Sequence, residues 1–350
     1  MITKSAAELF GPEYKQLLLP TPPRLLPAWP PHGLLLPLGP FAGSVPTCSI
    51  HYDGQRWRLL IRTVDYKIVN GGAFYAATGK RLAVEDPIIS LNWMYDLDDT
   101  LAVTTMTEVI DRTNTAKLKG PMLFESGGAR WLSDIRGYED GRLFAHDNKL
   151  YASVTVCDLD LGPACAGTPP PKMALLELAA DYAITKVTPL LGPWNKHAQK
   201  NWMPFDRIGG SCIRWMYSCE PRLMLDYNLT EGHFQPWAGE PNFAAIGDLR
   251  GGSQLIAIEH DAYGPGLLCV THEVPSGGQR SYLHRFVFMT MEGIVVARTE
   301  PFYFAKHGIE FCAGLAYDGA RFVASFGSDD ATVNLGVFSP GQVLSRLQTR

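Results

Sequence analysis

Short apolar and aromatic runs alternate with turn residues along most of the chain after residue 46. Segments such as "LFAHDNKLYASVTV" and "FVASFGSDDATVNLGVF" read as strand, polar turn and strand, with Asp, Asn and Gly at the turns. Long amphipathic helices are nearly absent, and "MALLELAADYAI" is as compatible with a strand as with a helix. The pattern predicts an all-β protein. Its hairpins continue for about 300 residues, which favours radial repetition of small sheets, a β-propeller, over a single sandwich.

The N-terminal segment has a different pattern. Residues 1–45 include "LLLPTPPRLLPAWPPHGLLLPLGP", which is apolar but interrupted by proline every few residues. Proline at this density prevents a continuous helix and favours extended chain. The polar start, with Glu8 and Glu13, does not fit a secretory signal. We therefore expect a Pro-rich N-terminal arm over residues 1–45 that packs on a propeller domain over residues 46–350.

Composition and charge narrow the range of partners. The chain has 350 residues, 46% of them hydrophobic and 19% charged, with a formal net charge of -4. This balance shows no basic face for nucleic acid, and no membrane span is expected. Seven cysteines lie scattered without CxxC spacing, so we expect reduced thiols in a cytoplasmic protein rather than disulfides or zinc. No GxGxxG or Walker motif occurs, so no cofactor is expected and a transferase of the doubly wound type is excluded. His272 and His284 lack metal-binding spacing, so no metal site is expected.

One hairpin carries the most informative chemistry. In "RGYEDGRLFAHDNKLYASVT", an acid pair, Glu139 and Asp140, precedes Gly141, Arg142 and a strand. The segment "GYEDGRLF" resembles the "EDPRLF" element of the mannoside phosphorylases, glycoside hydrolase family 130. Further segments are similar to family elements in the same order: "HAQKNWMPF", "RWMYSCEP", "LLCVTHEV" and "GIEFCAGLAYDGARFVASFGSDDA". The resemblance covers roughly residues 46 to 340 and implies a five-bladed β-propeller; the hairpin pattern alone leaves the blade number open.

The resemblance also implies roles for individual residues. Breaking or making a glycosidic bond needs a proton donor and a nucleophile, and Asp140 matches the family's general acid. Glu139 is expected to be its structural partner, and Arg142 to orient it or to hold a substrate oxygen. Sugar or phosphate contacts are expected from the remaining matching positions: Arg62, Asn92, His197, Lys200, Asn201, Trp202, His272, Glu310 and Asp330. A purely structural role is the alternative for Arg62, Trp202, Glu310 and Asp330. We expect the acid and several of these residues to meet in one cleft, where enclosure and Glu139 raise the pKa of Asp140.

Several departures from the family elements change the expected reaction. Gly141 stands where the family has proline, Leu91 and His197 stand where it has arginine, and Cys219 and Glu220 replace a histidine and an arginine. A carboxylate in an anion pocket repels phosphate, so phosphorolysis is disfavoured. Glu220 is instead a candidate base for an inverting hydrolase, where two carboxyl groups stand about 6.5–9.5 Å apart. The structural alternative is a salt bridge from Glu220 to Arg214 or Arg222.

Together these observations predict a carbohydrate-active enzyme. The expected reaction is inverting single displacement on β-linked hexosides, with β-mannosides favoured by the resemblance. Transfer or hydrolysis ranks above phosphorolysis, and the substrate would be an oligosaccharide, a sugar phosphate or a nucleotide sugar. Two alternatives stay open: a non-catalytic glycan-binding propeller, and an interaction scaffold that uses the Pro-rich arm.

Overall fold

The computed structural model describes most of the chain. The described residues are 3–19, 47–64, 66–69, 72–75, 81–83, 86–118, 120–126, 129–162, 170–196, 198–207, 209–236, 249, 251–275, 281–329 and 332–349. The Pro-rich stretch at 20–46, His197 and Asp330 therefore lie outside the described residues.

Most of the described chain is strand, with very little helix. The first strands are β1 (Lys4–Ser5), β2 (Lys15–Leu18), β3 (Thr47–Tyr52), β4 (Trp57–Val64), β5 (Tyr66–Val69), β6 (Gly72–Tyr75), β7 (Pro87–Leu97), β8 (Val103–Glu108), β9 (Met122–Ser126), β10 (Ala129–Arg136), β11 (Tyr138–His146), β12 (Lys149–Val156), β13 (Lys172–Leu178) and β14 (Ile184–Pro189). They are followed by β15 (Met203–Pro204), β16 (Cys212–Ser218), β17 (Leu223–Asn228), β18 (His233–Phe234), β19 (Ile256–His260), β20 (Gly264–Glu273), β21 (Leu283–Met289), β22 (Val295–Arg298), β23 (Phe302–Tyr303), β24 (Glu310–Tyr317), β25 (Phe322–Ser328), β26 (Thr332–Phe338) and β27 (Gln348–Thr349). The two short helices are α1 (Ala6–Phe10) and α2 (Pro340–Leu344). The prediction of an all-β protein is confirmed.

The strands form several sheets built on the same plan. There are a seven-stranded, a six-stranded, three four-stranded and one two-stranded sheet in the described part of the chain. Each larger sheet contains an antiparallel meander: β3-β4-β7-β8, β11-β12-β13-β14, β15-β16-β17-β18, β19-β20-β21-β22 and β24-β25-β26-β2. Hydrophobic residues form a buried cluster between each pair of consecutive sheets, and also between the last sheet and the first. A strand that lies between two such clusters is buried on both faces. In β4, for example, all eight residues are buried.

The N-terminus takes part in this arrangement. Strand β2 pairs antiparallel with β26, with Lys15 opposite Val337, so the outer strand of the last meander comes from the start of the chain. Ser5 caps α1 through a reciprocal capping box with Glu8. Leu9 and Phe10 on this helix enter the core between the last two sheets. Among the described residues, no helix has the length and apolar character needed to cross a membrane.

Hairpin turns follow the turn residues that the sequence displays. His146 pairs with Lys149 across the turn between β11 and β12. The two turn residues, Asp147 and Asn148, have φ values of 45° and 61°. Positive φ at both positions is the type I′ geometry that matches strand twist, and Asp and Asn tolerate it better than most residues. The hairpin predicted at "HDN" is therefore present.

Strand β3 lies beside β11 and β24, the first strands of two other meanders, and polar side chains join neighbouring sheets here. The Ser49 hydroxyl accepts a hydrogen bond from the backbone N of Leu143 at 2.9 Å. Ser325 accepts from the backbone N of Ile50 at 3.0 Å, and Gln254 donates to the carbonyl of Ile50 at 2.6 Å. Because strands of different sheets share no backbone ladder here, these side chains satisfy buried backbone groups that would otherwise be unpaired.

Candidate active site

The acid pair lies at the start of β11, where the strand is irregular. The register with β12 shifts between Glu139 and Arg142, and Asp140 has a φ of 47°. This left-handed conformation is uncommon for a residue with a side chain and carries a small energetic cost. Consecutive side chains of a regular strand point to opposite faces. Here the irregularity lets both carboxyl groups reach the guanidinium of Arg62.

Gly141 serves close packing rather than a tight turn. The positive φ at this point of the chain belongs to Asp140. A Cβ at position 141 would lie 2.7 Å from Cδ2 of Leu60, which is too close for two carbon atoms. Glycine at this position therefore allows β11 to pack closely against β4.

Arg62 on β4 is the common partner of the acid pair. Its Nη1 donates to Oδ1 of Asp140 at 3.1 Å, and its Nη2 donates to Oε1 of Glu139. Its Nε donates to the hydroxyl of Ser90 at 2.9 Å. The Arg62 side chain is 8% exposed, whereas that of Asp140 is 26% exposed. Arg62 is therefore the most buried of the three side chains, and Asp140 is the more accessible carboxylate of the acid pair.

The two carboxyl groups have opposite pKa shifts. Burial and the neighbouring charge of Asp140 raise the pKa of Glu139, although Arg62 opposes this. Burial also acts to raise the pKa of Asp140, but the charge of Arg62, the hydrogen bond from Thr47 and the charges of Arg142 and Lys200 outweigh it and lower the pKa. The expectation of a raised pKa for Asp140 is therefore wrong, because positive charges and donors converge on that residue. Glu139 is the group held toward its protonated form.

Arg142 is buried and donates its hydrogen bonds to other protein groups, which gives it a structural role. Its side chain is fully buried, and its donors go to the carbonyl of Gly252 at 2.9 Å, the carbonyl of Asp140 at 2.5 Å and Oδ1 of Asn201 at 3.0 Å. Its guanidinium carbon lies 5.5 Å from the ring centroid of Phe311. The prediction that Arg142 holds a substrate oxygen is wrong for this reason, and the alternative, in which it orients Asp140, agrees with the bond to the Asp140 backbone.

Two further predicted residues lie at the cluster. Asn201 has a φ of 63° and accepts the hydrogen bond from Arg142. Lys200 beside it is exposed, and its charge acts on both carboxyl groups. Asn92 is buried and donates to the carbonyl of Tyr138 at 3.0 Å, so it supports the start of β11. Asp140, Arg62, Arg142, Lys200 and Asn201 therefore lie close together, and their convergence on a substrate cleft stays a prediction. His197 and Asp330 lie outside the described residues.

Three predicted sugar contacts are buried in structural roles. Trp202 is 1% exposed, belongs to the aromatic core between two sheets and donates to Gln199, so a sugar cannot stack on it. Glu310 is fully buried and accepts hydrogen bonds from three consecutive backbone N–H groups, those of residues 304 to 306. His272 is 3% exposed and packs against the rings of Tyr282 and Phe311. These three positions are corrections to the sequence-based assignment, since burial removes them from contact with a substrate.

Glu220 has a different ion-pair partner from those expected. Its carboxylate lies 4.0 Å from Nη1 of Arg298. Arg214 pairs instead with Asp226 at 2.6 Å, and Arg222 donates to the carbonyl of Glu292. Glu220 follows the end of β16, and Met216 on that strand pairs with Met203 on β15, so Glu220 lies at the same end of its sheet as Asn201. Its proposed role as a base stays a prediction.

Sequence reasoning missed Thr47. Its hydroxyl donates to Oδ1 of Asp140 at 2.6 Å, and the residue is 3% exposed. Thr47 lies directly opposite Arg62 in the hairpin of β3 and β4. A signal was present in the sequence, since placing the hairpin turn at Asp53–Arg56 and counting outward along both strands brings position 47 opposite 62.

Comparison with solved structures identifies the fold. A glycosyl hydrolase from Bacteroides ovatus superposes with a TM-score of 0.55 at 13% identity, over 85% of this chain and 85% of that chain. The β-1,2-mannobiose phosphorylase from Listeria innocua gives 0.51 at 12% identity, over 89% of this chain and 94% of that chain. A structure reported with family 130 hydrolases that target β-1,2 mannosidic linkages in Candida mannan gives 0.52 at 13% identity, over 85% of each chain.

The class of fold follows from these superpositions. No protein-family model matches the sequence, and no curated protein matches it. The chain has a fold like that of glycoside hydrolase family 130, the mannoside phosphorylases and their hydrolase relatives, as the motif resemblance predicted. At identities of 12–13% the superpositions show a similar fold and not a shared reaction. The reaction depends on the residues of the site.

Proposed function

We propose that this chain is a carbohydrate-active enzyme built on a five-bladed β-propeller. The blade number is supported by the repeated four-strand meander and by the ring of core clusters, in which each sheet packs on the next and the last packs on the first. A propeller brings the first strand of every blade to one central cleft. The single observation that carries an enzymatic function is the accessible Asp140, held beside Glu139 by one buried arginine.

The proposed substrate is a β-linked hexoside, and the fold likeness favours β-mannosides. Asp140 is the proposed acid or base, because it is the more exposed carboxylate of the pair. Lys200 beside it offers a positive charge for a sugar phosphate or a nucleotide sugar. Arg62 is engaged by the acid pair and Ser90, so its proposed role is to hold the carboxyl groups rather than the sugar.

Hydrolysis at this site would be a single displacement with inversion. Glu220 would take a proton from water as the water oxygen bonds to the anomeric carbon. The glycosidic carbon–oxygen bond would break on the opposite face, and the leaving oxygen would take a proton from Asp140. This direction requires Asp140 to be protonated in the substrate complex, although its pKa is lowered in the protein alone.

Transfer to an acceptor uses Asp140 in its ionised form. The carboxylate would take the proton of an acceptor hydroxyl as that oxygen bonds to the anomeric carbon of an activated donor. A nucleoside diphosphate would leave with the bonding electron pair. The lowered pKa of Asp140 supports this direction, since a general base must be ionised at the working pH. Phosphorolysis ranks last, because Glu220 places a carboxylate near the proposed phosphate position.

A substrate panel tests the proposed function. The full chain is incubated with β-linked mannobioses, with mannose 1-phosphate plus mannose, and with GDP-mannose plus mannose, and products are separated by chromatography. Thermal shift is measured with each ligand, since a ligand at 100 times its dissociation constant stabilises by about 2.7 kcal/mol. We expect turnover of at least one substrate. Thermal stabilisation without any product would favour the glycan-binding alternative, and neither stabilisation nor product would contradict the proposal.

A further inference from the structure

One oxygen of Asp140 receives hydrogen bonds from two strand residues. The hydroxyl of Thr47 donates to Oδ1 at 2.6 Å, and Nη1 of Arg62 donates to the same atom at 3.1 Å. Thr47 and Arg62 are directly opposite each other in the ladder of β3 and β4. Directly opposed side chains lie on one face of a sheet, with Cβ atoms about 4.5–5.5 Å apart. This cross-strand pair therefore directs two donors at a single carboxylate oxygen.

Arg62 and Thr47 differ in which carboxyl groups of the acid pair they contact. Arg62 is shared, because its Nη2 also donates to Glu139. The hydrogen bond from the side chain of Thr47 goes to Asp140, and Thr47 is 3% exposed, so water does not compete freely for its hydroxyl. Thr47 is therefore a side-chain donor that Asp140 does not share with Glu139.

The arrangement has a consequence for where a proton can reside. A hydroxyl or guanidinium N–H donates only to an oxygen that has a lone pair available, so two donors at Oδ1 occupy that oxygen as an acceptor. We propose that Thr47 is a positioning residue, which holds Oδ1 of Asp140 as an acceptor and so confines the proton exchanged with the substrate to Oδ2. The link to catalysis rests on the proposed function, whereas the effect on the carboxyl group does not.

Removal of the hydroxyl leaves the local fold in place. The backbone of Thr47 is paired with that of Arg62 whatever the side chain, and valine has nearly the shape of threonine and the same preference for strands. Thr47→Val therefore removes one donor, and Thr47→Ser restores it. Thr299→Val is a matched control, because Thr299 is also a buried threonine, and its hydroxyl accepts a hydrogen bond from the backbone N of Phe286 at 3.1 Å.

The test is a titration of Asp140 that needs no substrate. The protein is labelled with carbon-13 at the aspartate carboxyl carbons, and the Asp140 signal is assigned by its loss in Asp140→Asn. A donor to the ionised form lowers a carboxyl pKa. We therefore expect Thr47→Val to raise the titration midpoint of Asp140 by about one pH unit, with Thr47→Ser close to the wild type and Thr299→Val unchanged. If the valine variant does not fold, Thr47→Ala tests the same donor.

The outcomes separate the inference from the proposed function. A midpoint in Thr47→Val that matches the wild type, or one that Thr47→Ser fails to restore, would overturn the role of Thr47. With an active substrate, we also expect kcat to fall and its pH profile to move with the midpoint, while KM changes less than twofold. If the wild type turns over no sugar, the proposed function fails, but the titration still decides whether Thr47 positions the carboxyl group.

Discussion

A carboxylate lies at each end of β11, but the two have different surroundings. At the Glu139 end, two carboxyl groups depend on one buried arginine, and Asp140 is partly exposed. At the opposite end, the single carboxylate of Asp206 lies 3.1 Å from Nε2 of His51 and accepts a hydrogen bond from the backbone N of Ala145 at 2.8 Å. The second arrangement places one buried carboxylate between His51 on β3 and the backbone of β11.

The difference shows how a structural polar cluster can be told from a candidate catalytic one. A buried carboxylate that lies between protein groups strengthens the fold and gains little from contact with a ligand. The acid pair instead keeps a partly exposed carboxyl group, and the pKa values of both its members are perturbed, which is typical of functional sites. Exposure separates the two ends better than the residue types do, since the side chain of Asp140 is 26% exposed and that of Asp206 is 9% exposed.

The largest expected effect comes from the shared arginine. Arg62→Met leaves both carboxyl groups without their common donor, so we expect turnover to fall at least about 100-fold and the free energy of unfolding to fall by about 3–5 kcal/mol. Chemical denaturation and steady-state kinetics measure the two effects. Arg214→Met is the control, since its ion pair with Asp226 is partly exposed and is expected to contribute about 0–1 kcal/mol. Equal losses of turnover and of unfolding free energy in the two variants would show that Arg62 matters no more than a partly exposed arginine.

Arg142→Met should affect stability more than substrate binding. The substitution leaves the carbonyls of Gly252 and Asp140 and the side chain of Asn201 without their donor. We expect a loss of about 2–4 kcal/mol in the free energy of unfolding, because each unsatisfied buried group costs about 1–3 kcal/mol and the site partly relaxes. Urea denaturation measures the loss. A large rise in KM without a loss of stability would return Arg142 to the substrate-binding residues.

Asp206→Asn tests the other end of β11. The amide keeps one acceptor oxygen for the backbone N of Ala145 but loses the charge beside His51. We expect a loss of about 1–3 kcal/mol in the free energy of unfolding. Turnover should stay within about twofold of the wild type, because Asp206 does not touch the reacting atoms. A strong loss of turnover in a variant that stays folded would remove the contrast between the two ends.

The smallest effect is a pH dependence from Glu139. A carboxyl group whose pKa is raised in the folded protein contributes stability below its ordinary value of 4.5. This contribution is lost as the pH rises through the folded value. Glu139→Gln removes the group, so relative to the wild type it should be more favourable at pH 8 than at pH 4, by up to about 1 kcal/mol. A stability difference between the two proteins that is the same at both pH values would show that Glu139 is not held toward its protonated form.

Sequence patterns were sufficient for the strands and their turns but not for the directions of the side chains. The turn at Asp147 and Asn148 has a local signature, and it is present. A substrate contact was expected for Trp202 and, as one of two alternatives, for Arg142, yet both side chains are buried. Period-2 alternation cannot assign faces in a fold whose strands are covered on both sides. The backbone irregularity at Asp140 has no local signal, so the pairing of both acids with Arg62 could be found only from the resemblance or from the structure.

The most direct test of the account compares Asp140→Asn with Asp147→Asn. The two aspartates lie at opposite ends of the same strand, both have positive φ, and Asp147 is 61% exposed in the hairpin turn. We expect kcat on an unactivated sugar substrate to fall by about 10²- to 10⁴-fold in Asp140→Asn, because an amide can neither give nor take the proton, and to stay within about twofold of the wild type in Asp147→Asn. A folded Asp140→Asn variant with the activity of the wild type would exclude Asp140 from the chemistry and contradict the account.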